Sequence, residues 1–232
     1  MASVVDSIRS VYQERFSLLK LGVFSYLIYF LITTLITNVS LNVVTLLIFF
    51  VILYLYLGFI CIIINNRINQ RIQTLPSFDI MTFTNVASKA FSIAIPYVGI
   101  SYFGIKLLFG LFSFEGIPQQ VAIWMTRYFI LSAMISALIH YSQNININEG
   151  MNLPKVMSSI TDVMAYTFIC IVTLTIMTIF IIGPTLYLIY NFFKFGALFQ
   201  YTAVFFATTI LAMLADYWGQ LHYDIESKNN YY

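Results

Sequence analysis

The chain has 232 residues, of which 60% are hydrophobic and 9% charged, whereas a soluble domain carries roughly 45–50% apolar and about 25% charged residues. That composition excludes a water-soluble globule, and a net charge of +2 from dispersed basic residues is too small to imply nucleic-acid binding, so no nucleic-acid partner is expected. Twenty-two Phe and 17 Tyr suit a lipid-facing surface with interfacial anchors, and the length fits one domain.

Residues 2–19 place Val4, Val5, Ile8, Val11, Tyr12 and Phe16 three and four apart, with Asp6, Arg9 and Glu14 between them. This is helical periodicity with one apolar stripe. The segment is too charged to cross a bilayer and reads either as an interfacial helix or as a solvated leader. It lacks a signal-peptide cleavage pattern, so the first membrane helix is expected to direct insertion.

Leu21 to Thr37 is the first expected span, 17 residues long and at the lower edge of the spanning range. Asn38 to Asn42 turns. Asn38-Val39-Ser40 matches a glycosylation acceptor, but so close to the membrane it reads as part of that turn. Val43 to Ile64 gives 22 uncharged residues, about 33 Å as a helix.

Asn65 to Ala90 is a long polar connection. Leu75-Pro76 ends one helix and can start another, and Ile80, Phe83, Ala87 and Phe91 then share one side of an expected surface helix. Phe91 to Phe114 is the third span, with Pro96 inside it. Val121 to Tyr141 is the fourth, after a turn at Glu115 to Gln120. Ser142 to Val163 repeats the polar connection, with Leu153-Pro154 followed by Val156, Met157, Ile160 and Val163. Met164 to Tyr190 is the fifth span, interrupted at Gly183-Pro184, and Ala197 to about Trp218 is the sixth.

The expected fold is therefore an all-α integral membrane bundle of six transmembrane helices with short interfacial amphipathic helices. The spans that open each hairpin start near residues 21, 91 and 164, spaced by 70 and 73, as a degenerate threefold hairpin repeat would space them. The units cover about 1–64, 65–141 and 142–226 of one transmembrane domain, with 227–232 as a frayed tail. Any six-helix chain with alternating loop lengths would also give this spacing. With the N-terminus inside, one side of the membrane holds Arg9, Arg15, Lys20, Arg67, Arg71, Lys89, Lys155 and Lys228, and the other only Lys194. The positive-inside rule then puts both termini in the cytoplasm.

A glycine at Gly58, a basic polar stretch, and Leu75-Pro76-Ser77-Phe78-Asp79 before an amphipathic helix together resemble a family of prokaryotic multi-pass membrane proteins of unknown function. Gly183 and Gly219-Gln220 extend the resemblance. In layout it is similar to the YciC-like inner-membrane proteins and to the membrane domain attached to some glycerophosphodiester phosphodiesterases. The resemblance implies six helices in a plasma membrane and no agreed activity. This chain departs from the pattern in its short outer loops and in fewer acidic residues around the Leu-Pro segment.

Little in the chain points to catalysis. Nine carboxylates and two His form no His-Glu-x-x-His, and no Gly-x-Ser-x-Gly elbow or Gly-rich phosphate loop is present. No metal or cofactor is expected, and Cys61 and Cys170, both in apolar runs, read as buried thiols. Asp216, His222, Asp224 and Glu226 read as a solvated string on a polar tail. Lys106 and Arg127 lie at depth on the two arms of one hairpin. Either they snorkel to the outer interface, or they converge on an anion such as a lipid phosphate, with Glu115 close by. Gly183 and Pro184 form either a packing kink or a helix break of the kind that builds transporter sites.

The leading expectation is a non-catalytic membrane protein that binds or scaffolds membrane lipids or partner membrane proteins. The alternative is a small transporter or transporter subunit for an apolar or anionic solute, with a mid-membrane cavity lined by Thr173, Thr175, Thr178 or Asn191.

Overall fold

A computed structural model describes residues 2–37, 42–77, 79–107, 116–193 and 196–229, and these contain helices and connections but no strand. The helices are α1 (Val4–Gln13), α2 (Ser17–Thr37), α3 (Asn42–Ile68), α4 (Ile80–Gly99), α5 (Ile117–Asn144), the single turn α6 (Ile147–Gly150), α7 (Leu153–Met177), α8 (Gly183–Leu188) and α9 (Gly196–Asn229). Six helical stretches among the described residues are long and apolar enough to cross a membrane. The chain is a multi-pass membrane protein.

The amphipathic segments exist, but two of them are joined to spans. Only α1 stands apart, ended at Glu14 by extended backbone and followed by Phe16 at φ 63°. The segment from Ile80 runs without interruption past Phe91, and the segment at Val156 to Val163 is the start of α7. The expected boundaries at Phe91 and Met164 are thus absent. The apolar faces there are covered in part by helices: Val86, Ala87 and Ala90 of α4 and Val156, Ile160 and Val163 of α7 are buried, whereas Ile80 and Met157 of the expected stripes are exposed. The expected tail is likewise helical as far as Asn229.

Three of the long elements, α4, α5 and α7, start where the sequence supplies a cap or a first-turn proline. Asp79 accepts from the Met81 amide at 3.1 Å, Asn152 accepts from the Lys155 amide at 3.4 Å, and Pro154 and Pro118 sit in first turns where no backbone donor is needed. Ile145 closes α5 in the left-handed conformation.

α3 is the central helix, packed against α2, α4, α5 and α9. Its contacts with α4 need Gly58, where a β-carbon would lie 2.7 Å from the Ala87 Cβ and 3.0 Å from the Phe83 ring. Burial is graded along the bundle. Leu57 to Asn66 of α3, Ala133 to Ser142 of α5 and Ala212 to His222 of α9 are largely buried, whereas Val43 to Val51, Pro118 to Phe129 and Gly196 to Phe206 are largely not. The helices therefore close tightly at the end carrying α1, α6 and the C-terminus of α9, and flare at the other.

Candidate lipid site and the polar junction beneath it

The sequence-predicted cations do not meet in the bundle interior. Lys106 and Arg127 are exposed, and each lies over an aromatic ring of its own helix segment, Lys106 Nζ at 5.8 Å from the Tyr102 centroid and Arg127 Cζ at 5.7 Å from that of Trp124. Arg127 lines a recess of about 280 Å³ with Tyr97, Ser101, Tyr102 and Met134, and Lys106 is not part of its lining. Glu115 lies outside the described residues. Cation–π contact and an apolar stem are what snorkelling side chains make.

At Gly183 and Pro184 the chain stays helical. A π-helical turn over Thr178–Ile182 precedes them, and the Gly183 amide donates to the Thr178 carbonyl. Pro184 then falls in the first turn of α8, where its missing N–H is not needed. The wider turn absorbs the proline as a change of hydrogen-bond register, so no gap opens. Thr173, Thr175, Thr178 and Asn191 all bond back to carbonyls four residues earlier.

The supposed polar tail is instead part of a buried junction. Asp216 is fully buried and His222 nearly so. The side-chain amide of Gln220 is fully used: Oε1 accepts from the Ser3 amide at 2.8 Å, while Nε2 donates to Ser7 Oγ at 2.8 Å and to Asp216 Oδ2 at 2.9 Å. Arg67 Nε stands 3.7 Å from Asp216 Oδ1, and the Ala2 amide donates to Asp224 at 2.8 Å. The side chain of Glu226 is outside the described set. On α3, Asn65 donates to the Ser142 carbonyl at 2.6 Å. On α5, His140 is within 3.1 Å of the Ser159 hydroxyl. These groups fasten α1, α3, α5, α7 and α9 together at one end. No group of three His, Cys, Asp or Glu among the described residues could hold a metal ion, and Cys61 and Cys170 are buried free thiols.

Above this junction, α2, α3 and α4 enclose a lateral groove of about 720 Å³, lined by Val23, Leu27, Phe30, Leu55, Phe59 and Phe83 among others. Its aromatic wall is built by Phe24, which stacks on Phe59 at 4.3 Å and approaches Phe83 at 6.5 Å. On α2 the lining runs from Lys20 to Phe30, about 15 Å along a helix and so about half of a 30 Å hydrocarbon core. At its mouth, Lys20 is paired with Glu14, whose other oxygen accepts from the Leu75 amide at 2.7 Å.

The groove shares Ser77, Asp79 and Phe83 with a cleft of about 530 Å³ that sets Asn66, Gln70, Arg71 and Gln73 beside Ile62, Ile72 and Leu75. Asn66 organises this loop: its Nδ2 donates to the Thr74 carbonyl at 3.2 Å, and its Oδ1 accepts from Arg71 at 3.2 Å. The Thr82 hydroxyl, and then the Met81 and Thr82 backbone amides, hold the Asp79 carboxyl below the usual range. A cavity of several hundred Å³ with an apolar length and a few polar groups at one end is the shape of a ligand site. The Leu-Pro segment was visible in the sequence. The groove was not, because it needs side chains from three helices. Comparison with known protein families, curated proteins and solved structures gives no match for this chain.

Proposed function

We propose that this chain is a non-catalytic, multi-pass lipid-binding protein of a prokaryotic plasma membrane, with both termini in the cytoplasm, that holds one membrane lipid in the α2–α3–α4 groove. The observation that carries the reading is the continuity between an apolar groove, about 15 Å long on α2, and a cleft at its mouth that holds Arg71, Asp79 and several neutral polar side chains. An acyl chain fits the first and a headgroup the second. The orientation rests on the positive-inside bias, which puts the groove mouth at the cytoplasmic leaflet. A structural role for the few buried titratable groups supports the non-catalytic part, since Asp216 is engaged by Gln220 and Arg67.

The test is native mass spectrometry of protein extracted in mild detergent, comparing the wild type with Leu27→Trp. Leu27 is 45% exposed within the groove, so the indole fills the groove without entering the core. Wild type is expected to retain one lipid per chain and the variant none. Equal retention by both sinks the reading.

A further inference from the structure

The cleft at the groove mouth contains one cation and one carboxylate that do not pair with each other. Arg71 has the neutral Asn66 as its partner, and Asp79 has the Met81 amide and the Thr82 hydroxyl. Both side chains line the same cleft, and both residues are exposed. The other charge at the mouth, Lys20, is already neutralised by Glu14.

We infer that this cleft is a headgroup subsite for a zwitterionic aminophospholipid, with Arg71 taking the phosphate and Asp79 the primary ammonium. The inference rests on the lipid reading above and adds the class of headgroup. A guanidinium presents planar, paired donors that match phosphate oxygens, and here Asn66 holds it in place before any ligand arrives. Gln70, Gln73 and Ser77 line the same cleft and supply neutral polar groups around the phosphate. A headgroup with phosphate alone would leave Asp79 facing like charge. A quaternary ammonium would offer it no N–H donor. A phosphate joined by a short linker to a primary ammonium satisfies both groups, and the chain below enters the groove past Phe83.

Two substitutions separate the charges from the fold. Asp79→Asn keeps a good N-cap for α4 while removing the carboxylate charge, and Arg71→Gln removes the guanidinium from an exposed position. Protein reconstituted from vesicles of phosphatidylethanolamine, phosphatidylglycerol and phosphatidylcholine in equal parts is extracted, and its retained lipid is identified by mass. Wild type is expected to enrich phosphatidylethanolamine about threefold over the other two, the size that one exposed charge contact supplies. Asp79→Asn should retain lipid but lose that enrichment, and Arg71→Gln should retain about threefold less of every headgroup. Retained lipid in the vesicle ratio, or an enrichment untouched by Asp79→Asn, overturns the headgroup inference and leaves the groove standing. No retained lipid in the wild type instead removes the groove reading itself. Binding of soluble O-phosphoethanolamine by a wild type that takes up no phosphatidylethanolamine from the vesicles would assign the cleft to free phosphate esters and overturn the lipid source.

Discussion

Gly219 of α9 lies against Arg67 of α3 so closely that a β-carbon on the glycine would stand 2.7 Å from the Arg67 Cβ and 3.2 Å from the Ile64 carbonyl oxygen. The missing side chain lets the two helices meet and sets the Arg67 guanidinium beside Asp216. In lipid, helices gain nothing by hiding apolar surface from water, so close packing and hydrogen bonds carry association. Gly219→Ala is expected to separate α3 from α9 and to destabilise the bundle by about 1–3 kcal/mol. A lower midpoint in thermal unfolding in detergent checks this, and an unchanged midpoint would show that the backbone yields freely.

The Gln220 amide joins α1 to the bundle through Ser3, Ser7 and Asp216. Gln220→Leu leaves those groups without it, at about 1–3 kcal/mol for each buried group left unsatisfied. The expected result is undocking of α1 before global unfolding. A cysteine introduced at the buried Ser7 should react slowly with maleimide in the otherwise unaltered chain and rapidly beside Gln220→Leu. Equal rates would mean that the apolar stripe alone holds α1.

Asp216→Asn keeps the shape of the side chain and its bond from Gln220, but leaves Arg67 without its counter-charge. The Arg67 side chain is 32% exposed and can recover water, so the loss should fall below the 3–5 kcal/mol of a fully buried broken pair, at about 1–2 kcal/mol. Chemical unfolding of the two proteins measures the difference.

Asp79 caps α4, and its carboxyl is held below the ordinary value of 3.8. A depressed folded-state pKa means that the contribution is fully present above the unfolded pKa and fades as pH falls through the lower, folded value. Hydrogen exchange of the Met81 and Thr82 amides should therefore be insensitive to this carboxyl from neutrality to about pH 5. Protection should drop in stronger acid. Asp79→Asn should abolish that acid-dependent step.

Lys106 and Arg127 each rest on their own aromatic partner, so their removal should be independent. Lys106→Met and Arg127→Met are expected to change stability by no more than about 1 kcal/mol each. Their double variant should equal the two single effects within about 0.5 kcal/mol. A larger coupling, or joint loss of a bound anionic lipid, would restore the shared-anion arrangement.

How much was legible in advance depends on the range of each interaction. Helix number and order could be read because a run such as Val43 to Ile64 has to satisfy its backbone internally in lipid whatever it packs against. A helix start soon after Leu75-Pro76 and one near Leu153-Pro154 could be read because the effect of proline on the backbone is local. The boundary at Phe91 could not. An amphipathic stripe looks the same whether lipid or a neighbouring helix covers it, and in α4 the cover is the bundle.

By itself, then, the sequence determined that the protein crosses a membrane as six helices, and the order in which they come, since composition and periodicity act within a single helix. Tertiary structure alone decided that Asp216 and Gln220 sit in a buried junction and that Lys106 and Arg127 lie exposed, each over an aromatic ring. It also brought Arg71 and Asp79 to the mouth of an apolar groove. Those outcomes rest on which helix faces meet, and on glycines at 58 and 219 that let them meet closely. Residues far apart in the chain become neighbours only through that packing.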